Sequence, residues 1–380
     1  MAGPTREDII ERLKRVKGPD LSGDLVSLGL VSDIVISGGK VMFSITVPSD
    51  RAQELEPLRQ AAEKIVREAP GVESVMVVLT AEKRAAAPGR SPVRPPPPMH
   101  QRAAPPSGVK AGVPGIGAIV AVASGKGGVG KSTTAVNLAL ALKANGLRVG
   151  ILDADIYGPS LPRLMHVTGR PETTGGRLLK PMENYGLKLM SIGFLVDEDT
   201  PMIWRGPMVI SALTQMLREV TWGDLDILVV DMPPGTGDAQ LTMAQQVPLA
   251  GAVIVSTPQD LALIDARKGL AMFNKVDVPV LGIVENMSTF ICPHCGQRSD
   301  IFGHGGARKE AEKLGVTFLG EVPLTIEIRE TSDAGTPIVA ATPDSVPAAA
   351  YREIAARVWE AILRNRAEGA RPPPKIVIEQ

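Results

Sequence analysis

Cysteine is almost missing from this chain, with two residues in 380, and both lie in one short loop. A disulfide framework is therefore excluded, and in a reducing compartment so close a pair points to metal binding or redox chemistry. Net charge is missing too. Lys+Arg and Asp+Glu balance at 41 each, so no global basic field draws the protein onto nucleic acid or an anionic membrane. No apolar run is long enough to span a bilayer, and the N-terminal residues MAGPTREDIIERLKRVKG are charged where a signal peptide is apolar. The expectation is a cytoplasmic protein with neither membrane nor nucleic acid as partner. What is present suits folded domains: 44% apolar and 22% charged residues. At this length two domains are the default.

The composition places the boundary. Residues 84–115 contain nine prolines, including the run Pro95 to Pro98, five Lys/Arg and no acid. That is an extended, semi-stiff linker. Before it, residues 1–83 read as a small α+β domain in the order α-β-β-α-β. A helical spacing (Ile9, Ile10, Leu13, Val16) precedes two β-rich runs, Val31 to Ser37 and Val41 to Val47, around the hairpin signal Gly38-Gly39. Ser49 and Asp50 offer an N-cap for a helix ending near Ala69, and Val72 to Thr80 alternates as a third strand. After the linker, residues 116–366 alternate apolar strands with helices, leaving 367–380 as a tail. Strands are expected at 118–123, 147–152, 187–192, 225–230, 252–256, 280–285 and 317–321. Most are continuous Val/Ile/Leu runs, as in strands buried on both faces of a parallel sheet. The fold class is α/β, a doubly wound, mostly parallel sheet with ligands at the carboxyl ends of its strands.

The first such end carries Ser124-Gly125-Lys126-Gly127-Gly128-Val129-Gly130-Lys131-Ser132-Thr133, which opens a helix running to about Ala144. This is the full phosphate-loop pattern in its strand-loop-helix context. Its glycines let successive N–H groups turn inward, and the helix N-terminus adds partial positive charge. Lys131 is placed to neutralise β- and γ-phosphates and Ser132 to ligate Mg2+. Lys126 is a second lysine, either a surface charge or a hand extended to a nucleotide on another chain. Asp231 ends the strand Leu225-Asp226-Ile227-Leu228-Val229-Val230 and precedes a glycine-bearing loop, which suits an acid beside Mg2+. Asp153 and Asp155, two apart at another strand end, suit water orientation and the metal shell, with helix capping as the alternative. Asn286, at the end of the strand 280–285, reads from the residues alone as a buried brace for a loop, and a Val322-Pro323-Leu324 turn could line a base.

Cys292-Pro293-His294-Cys295-Gly296 follows the strand that carries Asn286. A closed site needs four ligands. Three readings stand: a cluster or metal shared by two chains, an intrachain zinc knuckle completed by His304 and another group, and a redox dithiol. His294 reads as a neighbour of the metal or a surface residue rather than a ligand.

SGKGGVGKST, DADIYGPS, MIWRGPM from Met202, VVDMPPGTGD, GIVENMSTF and CPHCG, in this order, resemble the Mrp/ApbC family of iron-sulfur cluster carrier ATPases over about residues 116–363. GDLVSLGLV from Gly23 and PGVESVMVVLT from Pro70 resemble the small iron-sulfur-assembly domain of bacterial members. The resemblance implies a homodimeric ATPase using ATP and Mg2+. It further implies a labile cluster of [4Fe-4S] type between the Cys292/Cys295 loops of two chains, delivered to apo iron-sulfur proteins. It assigns Lys126 to the partner's ATP, Asp155 to the attacking water, Asp153 to the vicinity of Mg2+ and Asn286 to the base. One departure stands out: the small domain commonly has a cysteine where this chain has Val47-Pro48-Ser49-Asp50. Two rivals are a partitioning-type ATPase on membrane or DNA, supported by the amphipathic stretch Tyr351, Ile354, Val358, Trp359 and Ile362, and a zinc-stabilised nucleotide-binding adaptor.

Overall fold

A computed structural model describes residues 4–17, 23–31, 34–37, 39–48, 55–72, 74–82, 112–174, 178–196 and 206–369. Ser49, Asp50, most of the expected linker, Met202 to Arg205 and residues 370–380 lie outside the described residues. The chain divides into two compact units. One comprises Met1–Lys110 with Asp199–Ala212, the other Ala111–Glu198 with Leu213–Gln380.

In the first unit, helix Arg6–Leu13 opens on a capping box in which Thr5 and Asp8 satisfy each other's backbone N–H groups. Strands β1 (Val35–Ser37) and β2 (Lys40–Pro48) form the expected antiparallel hairpin, with Ser37 opposite Lys40. Helix Glu56–Arg67 then crosses over to β3 (Ser74–Glu82), which pairs parallel to β2. The helix begins later than Ser49 or Asp50 would set it, with Leu55 at its N-cap and a proline in its first turn. Ile9, Leu13, Leu25, Phe43, Ile45 and Val66 fill the core. Beside them the buried Arg59 guanidinium pairs with Glu56 and Glu63, each at 2.8 Å.

The second unit carries β4 (Ile116–Ala123), β5 (Val149–Asp153), a short pair β6 (Thr173–Thr174) and β7 (Leu178–Leu179), β8 (Met182–Asn184) and β9 (Leu187–Ser191). It continues with β10 (Leu225–Asp231), β11 (Gly251–Ser256), β12 (Val280–Ile291), β13 (Arg298–Ser299) and β14 (Phe318–Leu324). The main sheet runs β13-β12-β11-β4-β10-β5-β9-β8, with β14 against β12. β14, β12, β11, β4, β10, β5 and β9 are mutually parallel, and the short β8 and β13 are antiparallel additions. This is the doubly wound α/β sheet that the apolar runs imply.

Successive β10 side chains point to opposite faces, yet Ile227, Leu228, Val229 and Val230 are all fully buried. On one face, helix Lys131–Ala144 and the long helix Val346–Gly369 pack together. The stretch raised as a membrane-binding face is core instead: Tyr351, Ile354, Val358 and Ile362 are buried among the sheet residues and Trp359 packs against them. Among the described residues no helix is long and apolar enough to cross a membrane.

Two expectations are corrected. The strand expected to stop at Glu285 runs on to Ile291, because the polar residues that interrupt its apolar pattern find internal partners. Val322-Pro323-Leu324 is not a turn but the end of β14. Pro323 is tolerated there because, among the described residues, β14 pairs only with β12, leaving an edge without a ladder partner for the missing N–H.

Candidate functional site

The loop after β4 is built around three glycines, Gly125, Gly128 and Gly130, whose space or conformation no other residue fits. Gly128 and Gly130 have φ of 81° and 79°, in the left-handed region. A Cβ on Gly130 would lie 2.2 Å from Asn286 Nδ2, and one on Gly125 would lie 2.1 Å from the Asp265 carbonyl oxygen. At Gly127 and Gly128, by contrast, a Cβ meets nothing within 4 Å, so the cradle they line is open. Helix Lys131–Ala144 begins there without a side-chain cap, and its first N–H groups are available to an anion.

Lys131 turns back across the loop. Its Nζ lies 2.6 Å from Asp231 Oδ1 and 3.1 Å from Ser132 Oγ, and both charged side chains are buried. A buried ion pair of this geometry offsets two desolvation costs that neither charge bears well alone. The ammonium therefore stands between a hydroxyl and a carboxylate. That all-oxygen donor set suits a hard divalent ion, so the residues present fit Mg2+.

Asp153 and Asp231 are register partners on β5 and β10. Asp153 is fully buried, and that burial, with the Asp231 charge beside it, pushes its carboxyl up to about 7. Its oxygens accept from the N–H groups of Asp155 (3.1 Å), Ser160 (3.0 Å) and Leu161 (3.1 Å) and from the Ser191 hydroxyl (3.0 Å). The capping alternative thus describes Asp153, which organises the loop that presents Asp155. Asp155 is half-buried, and burial raises its carboxyl while the Lys131 charge opposes the rise. The loop after Asp231 is tied to the phosphate loop by Gly235 N–H donating to the Ser124 carbonyl at 3.0 Å. Lys126 is partly exposed, and Thr133 offers its carbonyl to the Asn137 amide at 2.9 Å. Asn286 donates its amide to the Val129 carbonyl at 2.9 Å, which is the bracing alternative.

Beyond Asn286, β12 leads directly into the cysteines. β12 and β13 form a hairpin with Phe290 opposite Ser299 and Ile291 opposite Arg298. Cys292 N–H donates to the Gln297 carbonyl at 3.0 Å and Gly296 N–H to the Cys292 carbonyl at 2.8 Å. Backbone N–H groups of Cys295 and His294 are directed at the Cys292 sulfur and hold its thiol below the usual range. Cys295 is exposed and Cys292 half-buried, and both are free thiols. The hairpin therefore presents two sulfurs outward.

His304, the proposed third ligand of a zinc knuckle, belongs to another group. Its ligand atom lies within 4.8 Å of those of Glu285 and Glu321, and among the described residues this is the one cluster of three or more such side chains. Neither cysteine is in it. Glu285 is itself occupied, accepting from Gly305 N–H at 3.1 Å and Ala307 N–H at 2.7 Å, so it caps the helix Gly306–Leu314 and pins the returning limb of the cysteine loop.

With this geometry in place, comparison with known proteins is decisive. The family model described as "NUBPL iron-transfer P-loop NTPase" matches residues 115–359. The chain belongs to that family. A second model, "Iron-sulfur cluster assembly protein", matches residues 6–77. The chain is 45% identical over 359 residues to the iron-sulfur cluster carrier protein of Synechocystis sp., covering 93% of this chain and 97% of that one. It is 58% identical over 248 residues to the iron-sulfur cluster transfer protein NUBPL of Mus musculus, covering 65% and 78%. Among solved structures, a nucleotide-binding protein in complex with ADP from Archaeoglobus fulgidus matches with 42% identity and a TM-score of 0.53, over 58% of this chain and 87% of that one.

In this NUBPL-family chain the sequence alone did not expose Glu285, Ser191 or the pairing of Lys131 with Asp231. A charged residue closing the apolar run Val280 to Val284 was the available signal for Glu285: a carboxylate there must be buried and partnered.

Proposed function

We propose that the protein binds and hydrolyses Mg·ATP at residues 125–133 and carries a labile iron-sulfur cluster of [4Fe-4S] type for delivery to apo-proteins, working in the reducing cytosol as a homodimer. The observation that carries the reading is the hairpin with two outward thiols and, among the described residues, no cluster of ligands that includes them. Four thiolates close a cluster, so two such hairpins supply what one lacks. The names of the carrier and transfer relatives and the ADP of the Archaeoglobus fulgidus complex support the same reading.

The residues divide the work as follows. The N–H groups of Gly127 to Thr133 hold phosphate oxygens, and Lys131 leaves Asp231 to neutralise them. Ser132 would ligate Mg2+ with Asp231 and Asp153 beside it, and the ion would supply charge neutralisation at the phosphates. Asp155 orients the attacking water. Lys126 reaches the nucleotide of the partner subunit, where added positive charge favours the transition state. Asn286 holds the loop in register and offers its remaining amide oxygen toward the base. Cys292 and Cys295 hold the cargo.

The test is transfer. Reconstituted protein should restore activity to an apo [4Fe-4S] enzyme even with an iron chelator present, and the Cys295→Ala protein should not. Equal reactivation by both proteins would overturn the reading.

A further inference from the structure

β12 links both halves of the site; its register shifts near Gly282 against β11 and between Ile283 and Val284 against β14, and its pairing lapses over a longer stretch between Asn286 and Phe290. Up to Glu285 it is laddered on both sides, with Ser256 of β11 and Glu321 of β14 as register partners. Glu285 is then fixed by its two backbone hydrogen bonds to Gly305 and Ala307. After Asn286 the regular pairing to β14 lapses and resumes only at Phe290, and β11 has ended. Within this gap Met287 takes φ of 55°, in the left-handed region that favours glycine. Strained residues of this kind persist where surrounding contacts enforce them, and they concentrate at switches. Beyond the gap come the hairpin and Cys292.

Next to the kink, the phosphate loop holds the preceding residue. Asn286 Nδ2 donates to the Val129 carbonyl. In a trans peptide the carbonyl and the following N–H point in opposite directions, so the peptide joining Val129 to Gly130 holds Asn286 with one edge and turns its Gly130 N–H the other way. One rigid plane thus faces both the phosphate cradle and the root of the cysteine hairpin.

We propose that Met287 is the hinge through which nucleotide occupancy at the phosphate loop repositions the Cys292/Cys295 hairpin within a single chain, with Asn286 as the positioning residue that connects them. This rests on the nucleotide reading above. A phosphate drawing the Gly130 N–H tilts the peptide and shifts Asn286. Residues 287–289, outside the backbone ladder and tied to β14 through the Ser288 hydroxyl, which donates to the Val322 carbonyl at 3.2 Å, then let the hairpin turn about that contact while Glu285 stays anchored.

The experiment uses the full, metal-free chain and follows the alkylation rate of its two thiols with iodoacetamide, with and without saturating Mg·ATP, beside a direct measurement of ATP affinity. Wild-type protein should change its rate about fivefold or more, the low end of typical coupling between sites. Met287→Gly accepts the same φ without strain, so it should bind ATP as wild type does yet show thiols indifferent to it. Asn286→Ala, compared at its own saturating ATP, should be equally indifferent and provides a second reading if Met287→Gly is poorly folded. A wild-type rate unchanged at saturation, or a full wild-type response in the well-folded Met287→Gly protein, would overturn the proposal. Absence of ATP binding to wild type would instead sink the nucleotide reading and this inference with it, an outcome the affinity measurement distinguishes.

Discussion

The phosphate loop and the cysteine hairpin sit at the same edge of one sheet and are built on opposite terms. The loop is preorganised, its lysine buried and already neutralised by Asp231, with Gly125 and Gly130 fixed by the close approach of the Asp265 carbonyl and the Asn286 amide. The hairpin is exposed, held by short-range backbone hydrogen bonds, and offers two free thiols. A site that must organise charge on its own is preorganised and buried. A site that must give its cargo away is accessible and incomplete. Substitutions should therefore act very differently in the two places.

The largest effect is expected at Lys131. Lys131→Ala removes the phosphate-neutralising ammonium and strands Asp231 as a buried, unpaired carboxylate. Breaking such a pair costs about 3–5 kcal/mol, so calorimetry should show loss of ATP binding and chemical denaturation a large loss of stability in the same variant. Unchanged ATP affinity would break the assignment of the loop.

At the hairpin the pattern should invert. Cys295→Ala should lose reconstituted iron and sulfide completely while ATP affinity holds, with a change in stability within about 0.5 kcal/mol, as for an exposed position. A strong stability loss would mean that the hairpin is structural rather than a cargo site.

Lys126 sharpens the comparison, since it belongs to the loop but is assigned to the partner's nucleotide. Lys126→Ala should keep ATP affinity within a few-fold and lower turnover by about 10²–10³-fold, the usual effect of removing one aimed charge or donor. In mixed dimers a Lys126→Ala chain paired with a Lys131→Ala chain should regain turnover at one site. No recovery in any proportion would place Lys126 on its own chain's nucleotide.

The last effect is a pH dependence rather than a loss of function. The Asp153 carboxyl is raised from 3.8 to about 7 by burial and by Asp231, so the folded chain holds that proton more tightly than the unfolded one. Its contribution to stability is complete below about pH 4 and is lost as pH rises through about 7. Asp153→Asn cannot titrate. The stability of nucleotide-free wild type relative to this variant should decline across that window and then level off, and a flat difference would contradict the buried-acid account.

How much of this was legible in the sequence follows the same division. The phosphate loop could be read directly because phosphate binding demands glycines and a lysine at adjacent positions, and the helix it opens ends at Ala144 as the pattern indicates. The parallel strands were legible as apolar runs. What escaped were features whose cause lies far along the chain. Lys131 and Asp231 are 100 residues apart. The extension of β12 was hidden because Asn286 and Ser288 interrupt an apolar pattern, and only their partners, the carbonyls of Val129 and Val322, make them tolerable in a strand. His304 reads from spacing as a possible companion of the cysteines, and only the fold delivers it to Glu285 and Glu321.

The central claim, that the exposed hairpin is half of a cargo site, is tested most directly by counting iron, sulfide and zinc after anaerobic reconstitution of the wild-type chain, with its size measured in the same sample. The account predicts about four irons and four sulfides per pair of chains, zinc absent, and a dimer in the fraction that carries the cluster. About one zinc per single chain with no sulfide would contradict it and make the hairpin a zinc knuckle after all.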